Sequence, residues 1–94
     1  MIIKRLIWLD EIVQNISKKH NVHKNEITEL LAGDPLFRFV EKGHRLNENV
    51  YAAMGQIQSG RYLIAFFVYK RDKDALILSV RDMTPAERKI YERR

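Results

Sequence analysis

The residues best suited to chemistry on a polyanion lie mostly in the last third of the chain: Arg61, Arg81, Arg88 and Arg93, interleaved with Tyr62, Tyr69 and Tyr91. Internal cleavage of RNA needs an activated 2′-hydroxyl, neutralisation of charge on a phosphorane-like transition state, and help for the leaving oxygen. A guanidinium suits the second task, because its planar fork binds phosphate bidentately and stays protonated. Tyrosine can stack on a splayed base or share in proton transfer, although ordinary strand packing is the favoured account of Tyr62 and Tyr69. Histidine is the usual acid or base at neutral pH, and the chain holds His20, His23 and His44. His20, beside Lys18 and Lys19, is the better proton-transfer candidate; complementing a helix dipole is its alternative role.

Several chemistries are excluded or left without support. With no cysteine there is no disulfide framework, thiolate zinc site or cysteine nucleophile. His20 and His23 are separated by Asn21, a helix stop, and His44 sits in a remote polar loop near Glu41, so no metal site is expected. The glycines at 33, 43, 55 and 60 are isolated and none opens a helix after a strand, so neither a phosphate-cradling loop nor a cofactor is expected. Ser17, Ser59 and Ser79 lack a nucleophile-elbow context.

The elements that must position these groups follow from periodicity. A short β-prone segment, Ile2 to Trp8, precedes Leu9, Ile12, Val13, Ile16 and His20, whose spacing is that of an amphipathic helix. Asp10 and Glu11 open it, Lys18 to His20 close it, and Asn21 can adopt the left-handed conformation that ends it. A second helix starts with His23 as N-cap, Glu26 reaching back and Val22 stapling to Ile27; it ends at Gly33 and Pro35. The two are expected to form a helical hairpin. From Leu36 the period is two: Phe37 and Phe39 around Arg38, a polar loop Glu41 to Asn49, then a strand Val50 to Ile57 with Ala52 and Met54 on one face. Ser59-Gly60 is a two-residue turn signal. The strand Arg61 to Lys70 is apolar on both faces, which suggests a central place. After a turn at Arg71 to Asp74, strand Ala75 to Arg81 is expected to show Leu76, Leu78 and Val80 on one side and Ile77, Ser79 and Arg81 on the other. Thr84-Pro85-Ala86-Glu87 is a capping box with proline in the first turn, opening a helix that docks Ala86, Ile90 and Tyr91. The expected fold is one α+β domain, residues 1–94: a short N-terminal strand, two helices, a four-stranded antiparallel sheet and a C-terminal helix.

Composition sets the partner class. Lys plus Arg number 17 against 12 Asp plus Glu, a formal charge of +5. Residues 1–33 hold five basic and four acidic groups, 34–60 three and three, and 61–94 nine and five, so the excess is +1, 0 and +4. A basic final third attracts nucleic acid or an acidic protein, or serves only as a solvated face. The longest apolar run, Tyr62 to Tyr69, is too short to cross a bilayer as a helix. Lys4 and Arg5 interrupt any export signal, so a cytoplasmic protein is expected.

Leu78-Ser79-Val80-Arg81-Asp82-Met83-Thr84, followed by Glu87-Arg88 and Tyr91, resembles the C-terminal signature of BrnT-type toxins, an I-S-A-R pattern before a threonine-capped helix containing E-R and Y. Trp8, Lys19-His20-Asn21-Val22 and Glu26 are similar to that family's N-terminal tryptophan, K-H-G-V stretch and second helix. Asp34-Pro35, Gly55 and Gly60-Arg61 match further points, so the resemblance spans nearly the whole chain. It implies a RelE-like fold and a bacterial endoribonuclease that blocks translation. It also implies a neighbouring antitoxin with a ribbon-helix-helix part, through which alone the pair reaches operator DNA. By position the functional groups fall on Lys19, His20, Arg61 and Arg81, with Tyr91 in support. Two positions that commonly carry arginine in the family hold Val50 and Leu76 instead. The leading expectation is thus a metal-independent endoribonuclease toxin. The alternative is a non-catalytic RelE-like module that binds an acidic partner or nucleic acid, and a homodimer and a monomer both remain open.

Overall fold

Asn21 does stop the first helix: it sits at φ 52°, ψ 44°, and its N–H donates to the carbonyl of Ser17. In the computed structural model, which describes residues 1–94, helix α1 is Asp10–His20 and α2 is Lys24–Ala32. The Glu26 carboxylate accepts from the backbone N–H of His23 at 3.0 Å, so α2 begins where its cap predicts. The close approaches of the two helices are to strands, so both lie as cover on the sheet.

That sheet has five strands. The antiparallel run is β2 (Leu36–Glu41), β3 (Asn49–Gln56), β4 (Tyr62–Tyr69) and β5 (Asp74–Asp82), and β1 (Arg5–Ile7) adds to β5 in parallel, giving the order β1-β5-β4-β3-β2. The N-terminal strand therefore belongs to the same sheet. Arg5 faces Asp74 in the register, and its Nε and Nη2 donate to the Asp74 carboxylate at 3.2 and 3.0 Å. The carboxylate is almost wholly buried, so removing Arg5 would leave a buried acceptor without its side-chain partner.

Both hairpin turns at the ends of β4 are three-residue loops. Ile57 and Arg61 close one around Gln58-Ser59-Gly60, with Gly60 at φ 98°; Lys70 and Asp74 close the other, with Lys73 at φ 71°. The expected two-residue turn at Ser59-Gly60 is thus one residue longer, with glycine in the left-handed final position that such loops require.

β4 is central, as its two apolar faces demand. Leu63, Ala65 and Phe67 point to α1 and α2 and form, with Ile16, Val22, Ile27, Leu30, Ala53, Ala75, Ile77 and Val80, the main core. Tyr62, Ile64 and Phe66 point the other way, where Ala52, Met54 and Tyr91 make a smaller core. This second face is covered by helix α3 (Pro85–Glu92), which is started by Thr84: its Oγ1 accepts from the N–H of Glu87, and its own N–H donates to the Glu87 carboxylate. Tyr91 docks as expected, but Ile90 remains exposed.

One register detail changes the predicted faces of β5. Phe66 pairs with Ser79 and Phe67 with Ile77, so Leu78 is an extra residue, a β-bulge. Past the bulge the alternation flips. Val80 joins Ile77 in the helix-covered core instead of joining Leu76, while Arg81, opposite Ile64, projects to the α3 side.

Candidate functional site

The bulge and the strand register decide which candidate residues meet. Arg61 has the parity of Leu63 and faces the helix-covered side; Arg81 has the parity of Ile64 and faces α3. The two guanidinium groups, both candidates for phosphate contact, therefore lie on opposite faces of the sheet.

Each is also already engaged. All five N–H donors of Arg61 are used: Nε and Nη2 on the Asp82 carboxylate at 3.2 and 3.1 Å, Nη2 on the His20 carbonyl at 3.0 Å, and Nη1 on the Asn21 carbonyl at 2.7 Å and Glu26 at 3.5 Å. Arg61 closes the C-terminal carbonyls of α1 and ties them to α2 and to the end of β5. The hydrogen bonds with Asp82 hold its pKa above the ordinary value; burial opposes this, and the charges of Asp82 and Glu26 add to it. Arg81 donates from Nη1 and Nη2 to the two oxygens of Glu87 at 2.7 and 2.9 Å, and its guanidinium lies 5.4 Å from the centre of the Phe66 ring. Hydrogen bonding to Arg81 is the first cause that brings the Glu87 carboxyl down to about 2, with the Thr84 cap contributing and burial opposing. Arg81 thus fastens α3 to β5. Tyr91 is buried edge-on against Tyr62, with ring centres 6.0 Å apart, and Arg94 stacks 4.0 Å over it.

An open groove lies on the same sheet face as Arg81, further along the strands from the part that α3 covers. Its floor is a row set by register, Val50 beside Val68 beside Leu76, extended by Leu78. Its wall is the loop between β2 and β3, contributing Lys42, His44 and Arg45, and Lys70 stands on the rim with its ammonium 3.5 Å from Glu48. The enclosed volume is about 460 Å³. Gly43 is what lets the loop fold this way, since a Cβ there would collide with the backbone carbonyl of Glu48.

Lys19 and His20 do come together, in a smaller cleft of about 190 Å³ with Asn15, Ser79 and Leu78. Leu78 borders both clefts, which open on opposite faces of the sheet, the groove on the α3 side and the Lys19–His20 cleft on the α1 side. Arg61 and Tyr91 line neither. Sequence reasoning set His44 aside as an isolated loop residue and did not single out Lys42, Arg45 or Lys70. The visible signal was a polar loop holding one glycine with three basic residues around it. The positions noted as lacking arginine, Val50 and Leu76, are neighbours across β4 and together make the groove apolar.

No three His, Asp or Glu side chains converge in a metal-ligating arrangement, and no helix is long and apolar enough to cross a membrane. Chemically, the two clefts offer ammonium and guanidinium groups, two imidazoles and an apolar floor, with Glu41 and Glu48 also lining the groove. Compared by sequence, the chain matches no protein-family model and no curated protein.

Proposed function

We propose that this protein is a BrnT-like, RelE-like toxin of a type II toxin–antitoxin pair, acting in the cytoplasm as a metal-independent endoribonuclease. The observation that carries the reading is the convergence of Lys42, His44, Arg45 and Lys70 on an apolar-floored groove. In this reading an RNA strand lies in the groove and reaches Lys19 and His20 around the open edge of β5 at Leu78. Lys42, Arg45 and Lys70 hold phosphates, a base rests on Val50, Val68 and Leu76, and His44 or His20 moves the proton of the 2′-hydroxyl. Arg81 and Arg61 support the site through the fold instead of gripping the scissile phosphate, and Tyr91 anchors α3. The partner is an antitoxin of ribbon-helix-helix type encoded nearby, through which the pair contacts operator DNA.

The test is induced expression in a bacterial host, with and without the neighbouring gene product. Growth arrest relieved by co-expression supports the toxin reading; unimpaired growth at verified protein levels counts against it.

A second reading, a non-catalytic module binding an acidic protein or nucleic acid, draws on one specific observation: the guanidinium groups of Arg61 and Arg81 are paired with carboxylates, and the groove floor is aliphatic. RNA binding without cleavage by the purified protein is its expected outcome.

A further inference from the structure

The outer edge of the sheet carries a surface separate from the groove. β2 is the terminal strand, with β3 on one side and no strand on the other, so the outward peptide groups of Leu36–Glu41 have no sheet partner. Phe39 is 56% exposed and Val40 43%. A register shift between Phe39 and Glu41 kinks the strand's end, and the preceding stretch Leu36–Phe39 pairs regularly and contains no proline or lysine. The opposite edge, β1, is only three residues long.

Next to this edge, Leu36 and Ile90 floor a shallow cleft of about 360 Å³ walled by Arg38, Arg93 and Arg94. None of the three arginines forms a salt bridge, and no Asp or Glu lines the cleft. This is unlike Arg61 and Arg81, whose carboxylates are supplied by the fold.

We propose that this edge binds an extended acidic segment of another protein, which adds alongside Leu36–Phe39 as a further strand and sets carboxylates against Arg38, Arg93 and Arg94. Main-chain hydrogen bonds supply the affinity, and alternate side chains, reaching the cleft at every second residue, supply the selectivity. Charge argues against a second copy of the chain: pairing β2 with its symmetry mate doubles the arginine trio along one seam. Single-stranded RNA matches the charge but has no peptide groups to satisfy the edge. The inference does not rest on the ribonuclease reading, because the groove and this cleft share no residue.

The test is fluorescence anisotropy of the full chain with a labelled peptide of about ten residues alternating glutamate and valine. Three comparisons accompany it: the same peptide N-methylated at alternate amides, a lysine-for-glutamate version, and the protein carrying Arg38→Ala, Arg93→Ala and Arg94→Ala. Saturable binding is expected, weakened about tenfold by the triple replacement and at least as much by N-methylation, with no binding of the lysine peptide. The three arginines are exposed, so an unchanged melting temperature certifies the variant. Equal binding of the methylated peptide, equal binding by the folded triple variant, or a dimer of the protein that excludes the peptide overturns the proposal. So does binding of oligouridylate at the trio without any binding of the acidic peptide.

Discussion

Replacing Arg61 with alanine should unfold the protein more readily long before it affects any ligand. The side chain makes two hydrogen bonds to backbone carbonyls, at His20 and Asn21, and three to carboxylates, at Asp82 and Glu26. A net contribution of about 1 kcal/mol each gives about 5 kcal/mol. That sum needs discounting, because the Arg61 side chain is 27% exposed and that of Asp82 is 60% exposed, which leaves about 3 kcal/mol. In a domain of this size each kcal/mol moves the melting temperature by about 4–8 °C, so a fall of about 12–24 °C is expected. Far-ultraviolet circular dichroism against temperature, repeated in urea, measures it. Arg61→Lys should recover less than half, since one ammonium cannot span two carbonyls and two carboxylates. If Arg61→Ala melts with the parent protein while its RNA affinity drops, Arg61 is a ligand contact after all and the structural role is refuted.

Three further outcomes follow from the same structure. Glu87 lies near 2 when folded against about 4.5 when unfolded, so its stabilisation is complete above pH 4.5 and drains away as pH falls toward 2; that gap is worth about 3 kcal/mol, reduced to about 1–2 by partial exposure. Glu87→Gln should therefore lower stability by about that amount at pH 7 and flatten the acid limb of urea midpoints measured from pH 7 to 3. Gly43→Ala forces the loop backbone off Glu48; a loss of about 1–3 kcal/mol is expected by thermal melting, together with weaker RNA binding, because Lys42, His44 and Arg45 move with the loop. Gly60→Ala, at φ 98° with nothing within 4 Å, meets only backbone strain and should cost about 1 kcal/mol, read from the urea midpoint.

Local signals were legible where a few adjacent residues settle the backbone. Thr84-Pro85-Ala86-Glu87 starts a helix, Asn21 stops one, and the doubly apolar Tyr62–Tyr69 takes the centre of the sheet, all by short-range sterics, capping and burial. What escaped is set by distance. The three residues of β1 carry no mark of their parallel pairing with β5, and nothing in Leu76 to Arg81 announces that Leu78 is looped out. That single extra residue moves Val80 into the core and puts Arg81 on the face away from Arg61. The carboxylates that occupy Arg61 lie 21 and 35 residues away in sequence, whereas Glu87 was visible in the cap but not as the partner of Arg81. Val50 and Leu76 read as two unrelated departures until Val68 aligns them across three strands, which is how a loop histidine and three unremarked basic residues came to face one groove.

These contacts also change which variant is informative about catalysis. Arg81→Ala releases α3 along with its charge, so a loss of activity there reports on folding as much as on chemistry. The side chains of Lys42, His44 and Arg45 belong to neither core. The most direct measurement is cleavage of a labelled single-stranded RNA by the purified protein in the presence of EDTA, comparing the parent chain with His44→Ala and with the paired Lys42→Ala and Arg45→Ala variant. The expected result is metal-independent cleavage by the parent, reduced at least about hundredfold by His44→Ala if that imidazole moves the proton, and weakened binding in the paired variant at unchanged melting temperature. Intact RNA with the parent protein, or undiminished cleavage by both folded variants, contradicts a ribonuclease site in this groove.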